Sequence, residues 1–145
     1  MRLAIGSILS ITLIAMFGCA INPFDISGKE RALEDAQRKY TELVRWGEID
    51  HASVFVDPKI AADFLRTAEL LKDVRFTEFE SGELEFGEGS ETAIVNVVYH
   101  AYSKKTLIEQ TFRERQEWYR EASAGNQWRV RPNLAAIARK LSGAQ

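Results

Sequence analysis

The chain of 145 residues is predicted to be an α+β protein, with three amino-terminal helices packed on a curved four-stranded antiparallel sheet and a short carboxy-terminal helix. Three observations predict it. Apolar residues recur with a period of about 3.6 as far as Lys72 and with a period of about 2 beyond it. The strand-like segments are joined by short turns, which suit antiparallel pairing and leave no room for crossover helices. Length and near-average composition allow one domain, without signs of disorder or of an internal repeat.

The helices come first. Ser27-Gly28-Lys29-Glu30 reads as a capping box, in which the serine accepts from the amide three residues on and Glu30 reaches back. From there Ala32, Leu33, Ala36, Tyr40, Leu43 and Val44 recur at helical spacing up to Gly47, a C′ stop, so a helix is expected over 28–46. Glu48 to Phe55 reads as a short second helix. Asp57-Pro58 offers an N-cap and a first-turn proline for a third over 58–71. Its buried stripe would be Ala61, Phe64, Leu65, Ala68 and Leu71.

The strands follow. Val74 to Phe86 is a broken alternation expected to bend at Gly82, and Gly87-Glu88-Gly89-Ser90 is a turn. Thr92 to Tyr102 is the clearest strand, with Ala93, Val95, Val97, Tyr99 and Ala101 forming an apolar face. Lys104-Lys105 turns into a long strand from Thr106 to Glu121, and Ala124-Gly125-Asn126 turns into a last one, Gln127 to Arg131. Pro132 ends it. Leu134, Ile137, Ala138 and Leu141 mark the closing helix, with Asn133 as its cap.

Charge dominates the odd positions of the long strand, so its even positions, Ile108, Gln110, Phe112, Glu114, Gln116 and Trp118, are expected to face inward. Polar groups there need partners or water. Tyr40, Tyr99, Gln110, Glu114, Gln116 and Trp118 are therefore the candidate pocket residues. The competing account is a sheet longer than its helical cover, with one wet end. On the outer face Arg113, Arg115, Arg129 and Arg131 could meet lipid headgroups. Glu109, Glu117 and Glu121 are interleaved with them, and cross-strand ion pairing is the simpler account.

Trp46, Trp118 and Trp128 are expected in the core, because large aromatics dominate burial in a small domain. His51 and His100 are isolated and lack metal-binding spacing, so no metal and no cofactor is expected. Nucleophile-elbow, phosphate-loop and dinucleotide signatures are missing as well.

The amino terminus stands apart. Arg2 is the only charge in residues 1–18, and Leu3 to Phe17 is an uninterrupted apolar or small run with the length of a secretory h-region. It ends Met16-Phe17-Gly18-Cys19, which resembles the bacterial lipobox. Met16 and Phe17 depart from the usual residues there, and Gly18-Cys19 carries the match. Cys19 is the only cysteine in the chain. The expected organisation is a signal peptide over 1–18, a lipidated Cys19 with a short tether to residue 27, and one domain over 28–145. The resemblance implies a palmitate-type lipid anchor in the cell envelope. Ala20 stands where an aspartate would imply inner-membrane retention, so the outer membrane, on its periplasmic side, is the expected location. Loss of residues 1–18 removes only Arg2, leaving a net charge of about −3, a poor basis for nucleic-acid binding.

The order and lengths of the elements resemble the nuclear-transport-factor-2-like, cystatin-like cone over about residues 28–131. Tyr40-Thr41-Glu42-Leu43-Val44-Arg45-Trp46, Gln116-Glu117-Trp118-Tyr119 and Gln127-Trp128-Arg129-Val130 carry the likeness. The resemblance implies a pocket between the first helix and the sheet, and it implies no particular reaction. The expected function is a non-catalytic binding or accessory module near the membrane surface, whose partner is an envelope protein or an apolar ligand. The alternative is a small acid–base enzyme, an isomerase or hydrolase, with Glu114 as pocket carboxylate beside Tyr99.

Overall fold

The computed structural model describes residues 26–121, 123 and 127–142. The expected signal peptide, Cys19, the expected tether as far as residue 25, and the expected turn at 124–126 lie outside the described residues.

The first helix, α1, runs Ile26–Trp46 and buries Leu33, Tyr40 and Val44, with Gln37 and Thr41 on the same face. Its carboxy-terminal end follows from one glycine. Gly47 adopts φ +77°, its amide donates to the Val44 carbonyl (3.0 Å), and the Glu48 amide donates to that of Leu43 (2.9 Å). These two bonds satisfy carbonyls that the helix would otherwise orphan. At the other end α1 begins earlier than expected, which places Ser27 inside the first turn. Glu30 accepts from the Ser90 hydroxyl (3.3 Å). Lys29 reaches Glu91 (2.6 Å), which also takes two bonds from Arg120 (2.6 and 2.7 Å). The helix start is thereby tied to the sheet. Those cations, Arg120 first, hold the Glu91 carboxyl down at about 2.

A short helix α2, Ile49–Ala52, continues into a 3-10 turn, Ser53–Phe55. The third helix, α3, runs Ala61–Leu71 and starts three residues later than the Asp57-Pro58 cap predicts. Asp57 still makes the cap-type bond, Oδ1 accepting from the Lys59 amide (3.0 Å), while Oδ2 accepts from Arg131 Nε (2.8 Å). The Ile60 amide donates to the Asp57 carbonyl (3.0 Å), so residues 57–60 form a turn ahead of α3. The buried face of α3 is Phe64, Thr67 and Leu71. The face turned to the core is centred on the Phe64–Thr67–Leu71 line, which leaves Leu65 40% exposed and buries Thr67 in place of the expected Leu65.

The sheet contains β1 (Val74–Ser81), β2 (Glu85–Phe86), β3 (Thr92–Ser103), β4 (Glu109–Glu121) and β5 (Gln127–Arg131). All pairings are antiparallel, in the order β1-β3-β4-β5, and the short β2 adds a fifth strand on β3. The expected break at Gly82 is present, since β1 ends at Ser81 and pairing with β3 resumes only at Glu85 in β2, shifted by one residue. β1 also carries a bulge at Thr77, between the pairs Phe76–Ala101 and Glu78–His100. Gly82 lies beyond the end of β1 and donates to the Asn96 carbonyl (2.9 Å). The long strand also starts later than Thr106. The amides of Thr106 and Leu107 both turn back to the Ser103 carbonyl, at 3.2 and 2.8 Å, and Leu107 adopts φ +58°.

Helices cover one face of this sheet. The apolar odd face of β3 is buried from Ala93 to Ala101, and the inward face of β4 from Phe112 to Trp118. The last helix, α4 (Leu134–Ser142), buries Leu134, Ile137, Ala138 and Leu141 as its spacing predicts, and packs against α3. Trp118 and Trp128 are buried, and the Trp128 indole donates to the Lys29 carbonyl (3.2 Å). Trp46 corrects the core expectation. It is 62% exposed at the end of α1, its ring 4.5 Å from the Arg45 guanidinium carbon.

Candidate functional site

Glu114 carries a carboxyl on the inward face of β4, opposite Val97 in the ladder, and it is wholly buried. Alternation along β4 sends Phe112, Glu114, Gln116 and Trp118 to one side, under α1. From that helix Tyr40 donates its hydroxyl to Oε1 of Glu114 (3.2 Å). Tyr99, on the inward face of β3, donates to Oε2 (3.0 Å), and Gln116 Nε2 donates to the same oxygen (2.8 Å).

A further layer braces these groups. The Gln116 amide also reaches Thr41 Oγ1 (3.3 Å), and its oxygen accepts from the Trp118 indole (3.2 Å). Gln37 donates to Thr41 and to Ser81, each at 3.0 Å. Trp118 packs edge-on against Tyr40, with ring centroids 5.9 Å apart, and Phe64 closes the other side of Tyr40 at 6.2 Å. Among the described residues no buried side-chain nitrogen or oxygen lacks a partner. The network is satisfied within the chain, which gives such a group a single stable geometry.

Its electrostatics are set by burial. Desolvation pushes the Glu114 carboxyl up to about 7, and the bonds from Gln116, Tyr99 and Tyr40 only partly oppose it. Burial, and then the nearby Glu114 charge, holds both tyrosine hydroxyls well above their ordinary range, so they act as donors. A carboxyl near 7 could exchange a proton at neutral pH. Both of its oxygens are nevertheless taken by the chain itself.

The structure thus brings together Tyr40, Tyr99, Glu114, Gln116 and Trp118. Gln110 is not among them: it is exposed at the start of β4, beyond the reach of the helical cover, and Ile108 beside it is 64% exposed. Sequence reasoning missed Gln37, Thr41 and Ser81. The available signal was that Gln37 and Thr41 share the helical face of Leu33, Tyr40 and Val44, a polar interruption of an apolar stripe.

Three of the four outer arginines are engaged by protein groups. Arg129 pairs with Glu121 across strands (3.2 Å), Arg115 with Glu117 on its own strand, and Arg131 with Asp57. His51 contacts Glu48 (2.9 Å), and half-buried His100 lies 3.4 Å from the Thr111 hydroxyl. Among the described residues no cluster of three His, Cys, Asp or Glu could hold a metal ion, and no helix is long and apolar enough to cross a membrane.

No family model matches the chain, and no curated protein sequence matches it. A ketosteroid isomerase-like protein from Erwinia carotovora atroseptica is similar in structure, with a TM-score of 0.51 at 15% identity, over 69% of this chain and 88% of that one. The intermembrane space region of the chloroplast protein ARC6 aligns with a TM-score of 0.47 at 11% identity, over 69% and 90%. The first likeness shows a nuclear-transport-factor-2-like fold.

Proposed function

We propose that this chain is a lipid-anchored, non-catalytic accessory or binding module of the bacterial cell envelope, held at the membrane through Cys19. The single observation that carries the non-catalytic reading is the closure of the Glu114 cluster. Each carboxylate oxygen is bonded by the chain, and Tyr40, Tyr99, Glu114 and Gln116 are all 0% exposed. In this fold the space between α1 and the sheet is where a ligand would sit. Here side chains fill it, and a substrate would have to displace satisfied hydrogen bonds at a cost of about 1–3 kcal/mol for each group left unpaired. Contact with an envelope protein or an apolar ligand then falls to the surface. The anchor rests on the apolar run and the Gly18-Cys19 pair.

Labelling of cells with a palmitate analogue tests the anchor. The wild-type protein should take up label and Cys19→Ser should not; equal label in both overturns it. A strain carrying Glu114→Gln tests the rest, and should keep wild-type envelope integrity. One observation favours a second reading, acid–base catalysis: a carboxyl near 7 beside two tyrosine donors. A folded Glu114→Gln protein that has lost all function would select it.

A further inference from the structure

We infer that the end of the domain where the β3–β4 turn meets the carboxy-terminal end of α1 is a docking surface for an anionic lipid bilayer, with Trp46, Leu107 and Ile108 entering the interface. The inference rests on the anchored reading for its orientation, and on the following observations for its chemistry.

Three large apolar side chains are spent on solvent at this end. Trp46 is 62% exposed, Leu107 72% and Ile108 64%. Leu107 additionally holds φ +58°, a region in which a leucine is strained and gains no packing in return. Trp46 and the turn are linked across the sheet. Arg45 donates to the Thr77 carbonyl (2.8 Å), and Thr77 Oγ1 donates to Glu109 (2.9 Å), the residue after Ile108.

Cations frame these side chains. Arg75 and Lys104 line a shallow depression together with Trp46, and Arg45 stacks on the Trp46 ring. Lys104 donates to the Lys72 carbonyl and Arg45 to that of Thr77; among the described residues Arg45, Arg75 and Lys104 have no carboxylate partner. Lys72 and Lys105 at this end are paired with Glu69 and Asp73, and Glu109 follows Ile108, so with Arg45, Arg75 and Lys104 the end remains net cationic, aromatic and aliphatic in a protein of net charge −2. Tryptophan with flanking lysine and arginine is the composition favoured at the headgroup layer. Each basic residue near an anionic surface raises binding on the order of fivefold.

Chain length sets the orientation. The 21 residues of α1 separate this end from the tether by about 30 Å. The seven residues from Ala20 to Ile26 reach at most about 25 Å from the anchor. A tether shorter than the helix keeps α1 from standing upright on its carboxy-terminal end, so both ends meet one bilayer only when α1 is tilted toward the surface.

The test uses the full chain purified from membranes with its acyl group, reconstituted in vesicles with brominated acyl chains, with or without phosphatidylglycerol. Trp118 and Trp128 are buried, so the difference between wild type and Trp46→Phe isolates Trp46 emission. Strong quenching of Trp46 is expected in phosphatidylglycerol vesicles. It should fall several-fold in neutral vesicles, in Arg75→Gln/Lys104→Gln, and in Leu107→Asn/Ile108→Asn. Both last positions are exposed, and asparagine suits a positive φ, so folding is spared. Protein that floats with vesicles while Trp46 stays unquenched overturns the inference and leaves the anchor standing. Protein found without an acyl group but quenched in anionic vesicles supports the docking surface and overturns the anchor. Absence of acyl group, flotation and quenching together sinks both.

Discussion

The Tyr99 hydroxyl lies 3.0 Å from Oε2 of Glu114 on the diagonal of the β3–β4 ladder, where Tyr99 pairs with Phe112 and Glu114 with Val97. Two adjacent strands thereby aim a donor and a carboxyl at each other on the same face of the sheet. Tyr40 completes the arrangement from α1.

That geometry has a pH signature. Burial raises Glu114 to about 7 in the fold, against an ordinary value of 4.5. A raised carboxyl contributes stability that is full below its unfolded pKa and is lost as pH rises through the folded one. Stability should fall by about 3 kcal/mol between pH 4.5 and pH 7 for this group alone. Denaturant melts of wild type and Glu114→Gln across that window measure it. The variant should lack the decline and match or exceed wild-type stability at pH 8; parallel curves would exclude an ionisable, buried Glu114.

Two tryptophans should respond oppositely to truncation. Trp118→Ala removes a ring packed on Tyr40 and leaves Gln116 Oε1 without its indole donor, so a loss of about 3–5 kcal/mol is expected. Trp46→Ala at an exposed position should stay within about 0.5 kcal/mol of wild type. Comparable losses in thermal or urea melts would contradict this packing.

Gly47 offers a backbone test. A methyl group there would meet no atom within 4 Å, so crowding contributes nothing. What remains is the left-handed φ of +77°, and Gly47→Ala should cost about 1 kcal/mol. Gly47→Asn should cost less, because asparagine tolerates that region. The order Gly, Asn, Ala in midpoint temperature checks it.

Asp57 joins the 57–60 turn to β5. Burial alone would raise its carboxyl, yet the Lys59 amide, Arg131 and Tyr119 outweigh it and hold the group below its ordinary value. A lowered carboxyl contributes stability above its unfolded pKa that is lost as pH falls through the folded one. Asp57→Ala should therefore destabilise by about 1–3 kcal/mol at pH 7, and by less at strongly acid pH. An equal loss at both pH values would remove the ionic part of this account.

Local pattern alone determined much of this protein. Strict alternation in Thr92–Tyr102 assigned the buried face of β3 residue by residue, because a strand has only two sides. The same parity placed Glu114, Gln116 and Trp118 inward, and Gly47, Gln127 and Arg131 marked ends where backbone chemistry is local. Tertiary structure decided where cover begins and stops. Gln110 and Ile108 share the parity of Glu114 but lie beyond the packed helices, so they meet water; Trp46, two positions after buried Val44, lies on the opposite side of α1 from the buried stripe. Asp57 has the residue type and spacing of an N-cap and accepts from the Lys59 amide, yet residues 57–60 close a turn before α3 begins, and its other oxygen is taken by Arg131, 74 residues away in sequence. Partners that far apart leave no periodic trace, and the network of Gln37, Thr41 and Ser81 around Gln116 exists only once α1 lies across the sheet.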